Sequence, residues 1–352
     1  MFELRRDPVT GWWSAIVTDR SFEHASFTVQ AAPVEGTHCR HCDDDPTPEA
    51  DAAEDTSVRR VSLRADAFLL RDGGRDGVRD GVRDDRRDAR RNDGRERAER
   101  SQQLSMLTPG TASGSWEILV APRGHHERLA DAPPRLAVNL LRSVRDRMRE
   151  LAATRTGEEP LYIQVVQAYG RQAGSRTQHL NLELYAIPQV PHWVAEEIGG
   201  GARYSIKAQR CAWCALAAAE EESGERLVLA EERFVVFAPA ASRSPFELAI
   251  VPRAHAADFA SLDDDAIAAT TATLQRALGA LDALGDPPYN LFLHTSPAGE
   301  RLDATFHWHW ELHPRLRVIA GLERATALAV NPAAPEFAAE VLRAHLGRTG
   351  PA

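Results

Sequence analysis

The four cysteines fall as two pairs, Cys39-Arg-His-Cys42 and Cys211-Ala-Trp-Cys214, each with the two-residue gap that lets two thiolates hold one metal ion. Histidines follow both pairs at matched places, with His125 and His179 after the first and His255 and His307 after the second. The histidines are 54 residues apart in one set and 52 in the other. Two sulfurs with two imidazoles suit a closed tetrahedral zinc site of the structural kind. The expectation is therefore two zinc ions per chain, one on Cys39, Cys42, His125 and His179 and one on Cys211, Cys214, His255 and His307. A second chemistry is written into His307-Trp-His309-Trp-Glu311. In an extended strand the two histidines and the carboxylate share one face while the tryptophans take the other, so His309 and Glu311 are candidates for metal binding or proton transfer.

The blocks that carry these residues repeat. WEILVAPRGH at 116–125 matches FELAIVPRAH at 246–255, and TQHLNLEL at 177–184 matches TFHWHWEL at 305–312. A motif pair kept in register marks a tandem duplication. Between the paired blocks, apolar residues recur at three- and four-residue steps over Pro134 to Ala153 and Asp263 to Leu284, which predicts a long helix in each copy. Segments 160–168 and 288–294 read as half-buried or central strands. The fold class that follows is α+β, an antiparallel sheet packed by helices and made twice, with one copy over 1–198 and the other over 199–352.

The 352 residues are 43% hydrophobic and 26% charged, which fits a folded protein and excludes wholesale disorder. Lys plus Arg total 42 against 51 Asp plus Glu, a formal charge of −9 that argues against a nucleic-acid partner. No apolar run nears the ~20 residues of a membrane span, and the N-terminus lacks a secretory core, so no membrane partner and a cytoplasmic location are expected. Reduced cysteines in that compartment favour metal over disulfide. Segment 71–100 holds 11 Arg, 7 Asp and 2 Glu and is expected to be a disordered, dispensable insertion.

Arg6-Asp7-Pro8-Val9-Thr10-Gly11-Trp12-Trp13, the CxxC pairs, the WEILVAPRGH block, Gly170 to Glu183, and FHWHWELHPRLRVIAG followed by Asn331-Pro-Ala-Ala-Pro-Glu336 resemble the galactose-1-phosphate uridylyltransferase family of the histidine-triad superfamily. The resemblance runs over almost the whole chain except 43–57 and 71–100. It implies two histidine-triad-like domains, a homodimer, a nucleotide or sugar-phosphate partner, and nucleotidyl transfer through a covalent nucleotidyl-histidine. By that resemblance the nucleophile position is Asn181, which lacks a basic lone pair, and Glu183 stands where the family holds the phosphoryl group with Gln. Ala168 and Arg176 replace an Asn and a Ser of the family site, and the nucleotide segment reads Arg64-Ala65-Asp66-Ala67-Phe68. Arg20 keeps one of two substrate-binding arginines, and Glu23 takes the other place.

For His309 the resemblance leaves several roles open. It can join His294 and Glu197 as a ligand of a further metal, act as catalytic base or nucleophile with Glu311, or rest as a satisfied polar side chain beside zinc. The leading expectation is a uridylyltransferase-like zinc enzyme with an altered site, without ordinary uridylyltransferase activity. The alternative is a zinc-stabilised pseudoenzyme that binds a nucleotide or a protein partner.

Overall fold

In the computed structural model, the described residues are 2–17, 24–30, 39–43, 57–62, 114–122, 125–155 and 160–349. Segment 71–100, Arg20, Glu23 and 64–68 lie outside them. The strands in chain order are β1 Phe2–Arg6, β2 Trp13–Val17, β3 Val29–Gln30, β4 Arg59–Ser62, β5 Ser115–Val120, β6 Tyr162–Tyr169, β7 Asn181–Ile187, β8 Leu227–Ala230, β9 Phe234–Phe237, β10 Leu248–Pro252, β11 Gly285–Asp286, β12 Tyr289–His294, β13 His309–Pro314 and β14 Ala329–Asn331. The helices are α1 Arg40–Asp43, α2 Pro134–Ala153, α3 His192–Ala208, α4 Ala212–Ser223, α5 Asp264–Ala280, α6 Gly321–Thr326 and α7 Pro335–Thr349.

Among the described residues, nine strands make one sheet in the order β4-β5-β7-β6-β12-β13-β10-β9-β8. Four of them, β4-β5-β7-β6, have their counterparts in β9-β10-β13-β12, so the repeat seen in sequence is a repeat of strand order. The two halves join edge to edge, antiparallel, through β6 and β12, from Tyr289 opposite Tyr169 to Leu293 opposite Val165. Joining central edges this way removes two exposed strand edges at once.

Side-chain alternation decides which face of the sheet packs. On β7, Leu182, Leu184 and Ala186 are buried, while Asn181, Glu183 and Tyr185 on the other face are half-buried. Helix α2 starts at Pro134, where a missing N–H costs nothing, and buries Leu136, Leu140, Leu141, Val144, Met148 and Leu151 at helical spacing. Its counterpart α5 begins after Asp263, whose carboxylate accepts the Ala266 N–H at 2.8 Å. The predicted second helix is thus α5 plus a short 3-10 turn, Leu281–Leu284. Arg145 ties α2 to α5 through Asp264 at 2.6 Å.

Helix α3 crosses the boundary expected at 198/199 without a break. Its triple glycine, residues 199–201, is there for close approach. A Cβ on Gly200 would lie 1.7 Å from the Val9 carbonyl oxygen, and one on Gly201 2.5 Å from that of Thr305. The Arg-Asp-Pro-Val-Thr-Gly turn against which Gly200 packs is pinned by Asp7, which accepts the N–H groups of Val9 and Thr10 at 3.0 and 2.6 Å.

Candidate metal and nucleotide site

Each CxxC pair sits at the start of a helical turn. Cys211 is the N-cap of α4, and Cys39 directly precedes α1, so residues i and i+3 bring their sulfurs to one side of the turn. Ligand atoms of Cys39, Cys42, His125 and His179 all lie within 4.8 Å of one another, and so do those of Cys211, Cys214, His255 and His307. In the first set His179 Nδ1 is 3.4 Å from both sulfurs, and His125 Nδ1 is 3.6 Å from Cys42. In the second, His307 Nδ1 is 3.3 Å from Cys214 and 3.9 Å from Cys211, and His255 Nδ1 is 3.4 Å from Cys214. Zn–S bonds of ~2.3 Å and Zn–N bonds of ~2.0 Å at a tetrahedral angle put sulfur and nitrogen ~3.5 Å apart, so the donors stand at the edges of a zinc-sized tetrahedron.

The outer ring nitrogens fix which lone pair faces inward. His179 Nε2–H donates to the Ala121 carbonyl at 2.8 Å, and His255 Nε2–H donates to that of Asp303. His125 Nε2 lies 3.5 Å from Glu127. In this tautomer Nδ1 turns its lone pair to the sulfurs, the arrangement a metal-bound histidine takes. Burial pushes His179 down to about 4 and lowers His307 as well, so both imidazoles are neutral and ready as ligands. The hydrogen bond from Cys214 holds Cys211 well below the ordinary thiol range against burial, and His307 adds to it. The donor sets fit zinc in both halves.

The structure also brings together Glu197, His294 and His309, all buried. His294 Nδ1 is 2.7 Å from Glu197, and His309 Nδ1 is 3.7 Å from it. Trp213, inside the second CxxC, donates its indole N–H to Glu197 at 2.8 Å and lies over His309, ring centroids 3.9 Å apart. His309 is fully buried; its Nδ1–H goes to the His307 carbonyl at 3.0 Å, and its Nε2 has no hydrogen-bond partner among the described residues. Burial alone would lower His309, but Glu197 and Glu311 hold it above its ordinary value. Glu311, 3.6 Å from His309 Nε2, continues into a second charged group with Arg243, His313 and Glu247.

In the first half the equivalent positions are bare. Asn181 Nδ2 donates to the His179 carbonyl at 2.8 Å, and Ala168 takes the place that His294 takes beside His309. Glu183 Oε2 accepts the Trp116 indole N–H at 3.0 Å and the Tyr185 hydroxyl, with the Trp116 and Tyr185 rings stacked at 5.2 Å. Arg176 lies over the Trp116 ring, 5.0 Å from its centroid. Of the expected site residues, Arg20 lies outside the described residues. Sequence reasoning missed Trp213, Arg243 and the Trp116–Tyr185 pair. Trp116 was visible as the aromatic opening a repeated block, but nothing in the sequence linked it to Glu183.

No family model matches the chain. It is 30% identical to the ADP-glucose phosphorylase of Arabidopsis thaliana over 234 residues, 65% of this chain and 64% of that protein. It is 26% identical to the galactose-1-phosphate uridylyltransferase of Thermotoga maritima over 239 residues, 65% of this chain and 74% of that one. In sequence the chain is thus similar to an ADP-glucose phosphorylase and to a galactose-1-phosphate uridylyltransferase. The fold agrees over the full length. A crystal structure of an Arabidopsis thaliana ADP-glucose phosphorylase with bound ADP-glucose has a TM-score of 0.69 at 24% identity, covering 97% of this chain and 99% of that one. A uridylyltransferase structure has 0.68 at 22%, covering 100% of both. The aligned sequence nevertheless spans just under two thirds of the Arabidopsis relative. Among the described residues no helix is long and apolar enough to cross a membrane.

Proposed function

We propose that this chain is a zinc-stabilised nucleotide-binding protein of the nucleotidyl-transfer class, which takes a nucleotide sugar or phosphorylated small molecule at β7 without forming a covalent nucleotidyl-histidine. The observation that carries this reading is the Asn181 hydrogen bond to the His179 carbonyl, set beside that of His309 to the His307 carbonyl. In both halves, the residue two beyond the inner histidine returns a side-chain N–H to that histidine's backbone oxygen. An imidazole held this way keeps a basic lone pair on its other nitrogen. A carboxamide keeps a weakly basic oxygen and cannot form the phosphoramidate. The similarity to an ADP-glucose phosphorylase and to galactose-1-phosphate uridylyltransferases supports the substrate class.

Zinc in closed Cys2His2 sets supplies folding energy and positions the strand that follows, and it leaves no open coordination site for chemistry. Cys39, Cys42, His125 and His179 would hold one ion, and Cys211, Cys214, His255 and His307 the other. Glu197, His294 and His309 would hold a further metal ion. The burial of all three side chains and the approach of their ligand atoms to within 4.8 Å of one another support that role. A homodimer belongs to the same proposal.

A second reading, a pseudoenzyme that binds without turnover, is favoured by Asn181 alone. The test is metal analysis with a binding measurement for ADP-glucose and UDP-glucose. Two zinc ions per chain and saturable nucleotide binding are expected; zinc below one equivalent, or no binding of either nucleotide, would overturn the proposal.

A further inference from the structure

Four of the seven tryptophans border one cleft, and no residue of β7 lines it. Trp12 and Trp13 come from the end of the N-terminal turn and the start of β2, Trp193 from α3 and Trp213 from α4. The cleft measures about 700 Å³ counted out to its open mouth. Trp13 is exposed and Trp213 buried, so the aromatic lining runs from the surface to the interior, with the Trp12 and Trp193 ring centroids 4.3 Å apart. The face of an indole attracts positive charge more strongly than that of any other side-chain ring.

The charged groups of the cleft share that preference. Asp7, Glu197, Glu247 and Glu311 border it against one permanent cation, Arg243. Two of the carboxylates are spent, Glu197 on His294 and Trp213, and Glu311 on Arg243 and His313. Asp7 and Glu247 keep an oxygen each. Asp7 Oδ1 takes the hydrogen bonds of its turn, and Oδ2 accepts none among the described residues. Glu247 is 3% exposed, and its Oε2 accepts the N–H groups of Arg243 and Ser244 at 2.6 and 3.0 Å. Its Oε1 accepts no hydrogen bond among the described residues and lies 3.5 Å from Arg243 Nε. A carboxylate oxygen buried in this way carries a desolvation cost that an N–H donor would offset. Burial also holds Asp7 above its ordinary carboxylate value although Arg243 opposes the shift. Arg243 itself shows how the cleft treats a cation, since its guanidinium lies over the Trp193 ring, 4.5 Å from the centroid, with its charge on Glu311.

We propose that this cleft binds an aliphatic ammonium ion, whose N–H groups answer Asp7 and Glu247 and whose carbon chain lies against the tryptophans. The class follows from the lining. An anion is repelled by the carboxylates, a neutral alcohol leaves them without a counter-charge, and a bare inorganic cation leaves the apolar surface of the indoles unused. The site stands whether or not a nucleotide binds at β7.

The experiment titrates the zinc-loaded full chain with n-butylammonium chloride, n-butanol and ammonium chloride at constant ionic strength, read by calorimetry and by tryptophan fluorescence. One saturable site for n-butylammonium is expected, with a fluorescence change, and the other two compounds should bind at least about tenfold more weakly. Asp7→Asn keeps the acceptor that pins the turn and removes the charge, and should weaken n-butylammonium about tenfold or more with zinc content unchanged. Trp12→Leu should weaken it several-fold. No saturable binding, n-butanol or ammonium binding as tightly as n-butylammonium, or parent affinity in either variant would overturn the assignment. The comparison of the three compounds uses the unaltered protein, so it does not depend on how a variant folds.

Discussion

Adjacent glycines in α3 should respond to the same substitution with opposite sign. A Cβ on Gly200 would stand 1.7 Å from the Val9 oxygen and 2.7 Å from its carbon, both backbone atoms of the turn pinned by Asp7. Ordinary contact begins near 3.4 Å, so helix and turn must separate by roughly 1.5 Å, and neither side can swing a side chain aside. Overpacking of this kind costs about 1–3 kcal/mol, occasionally more, against which the better helix propensity of alanine returns about 1 kcal/mol. Gly200→Ala should therefore destabilise by about 1–2 kcal/mol. At Gly199 the nearest atom is the end of the Arg203 side chain, 3.2 Å away and free to move, so Gly199→Ala should be neutral or stabilise by up to about 1 kcal/mol. Thermal melts at fixed zinc concentration should show G200A below and G199A at or above the unaltered protein. Because Glu197 lies one turn before Gly200, G200A should also disturb the Trp213–Glu197 bond and change tryptophan fluorescence. A G200A melt equal to that of the parent would refute the close approach.

Cys39→Ser and Cys211→Ser should each remove one zinc equivalent of two, read by elemental analysis, and chelation should lower the melting temperature, since metal binding is coupled to folding. Glu117 is held below the ordinary carboxylate range by its hydrogen bond from Arg147, at 2.7 and 2.6 Å, against burial. A depressed folded-state value means stability present above the unfolded value and lost as pH falls through the folded one. Glu117→Gln should accordingly cost about 1–3 kcal/mol at neutral pH, with the deficit closing below about pH 4, as urea titrations across pH would record. Asn181→His should restore a lone pair at the nucleophile position and give a nucleotidyl adduct by mass that the unaltered protein lacks.

Much of the site was legible because duplication writes it twice. The histidine intervals and repeated blocks picked out eight candidate Cys and His ligands, and the structure brings the ligand atoms of each set of four within 4.8 Å of one another. Periodicity placed α2 to the residue, since a buried stripe and an N-terminal proline both mark it. What stayed hidden depended on contacts between distant segments. Trp213 bonds Glu197 only because α4 starts against α3, and the triple glycine looks like a helix breaker until the Val9 turn is seen packed on it. The continuity of the two halves through β6 and β12 was hidden too, because strand edges carry no sequence mark of which partner they meet.

The most direct test is mass spectrometry of the zinc-loaded protein with ADP-glucose or UDP-glucose, recorded first in native and then in denaturing spray. A chain with two zinc ions and a bound nucleotide is expected under native conditions, and the unmodified chain mass once denatured. A nucleotidyl adduct that survives denaturation, or no nucleotide complex in native spray, would contradict it.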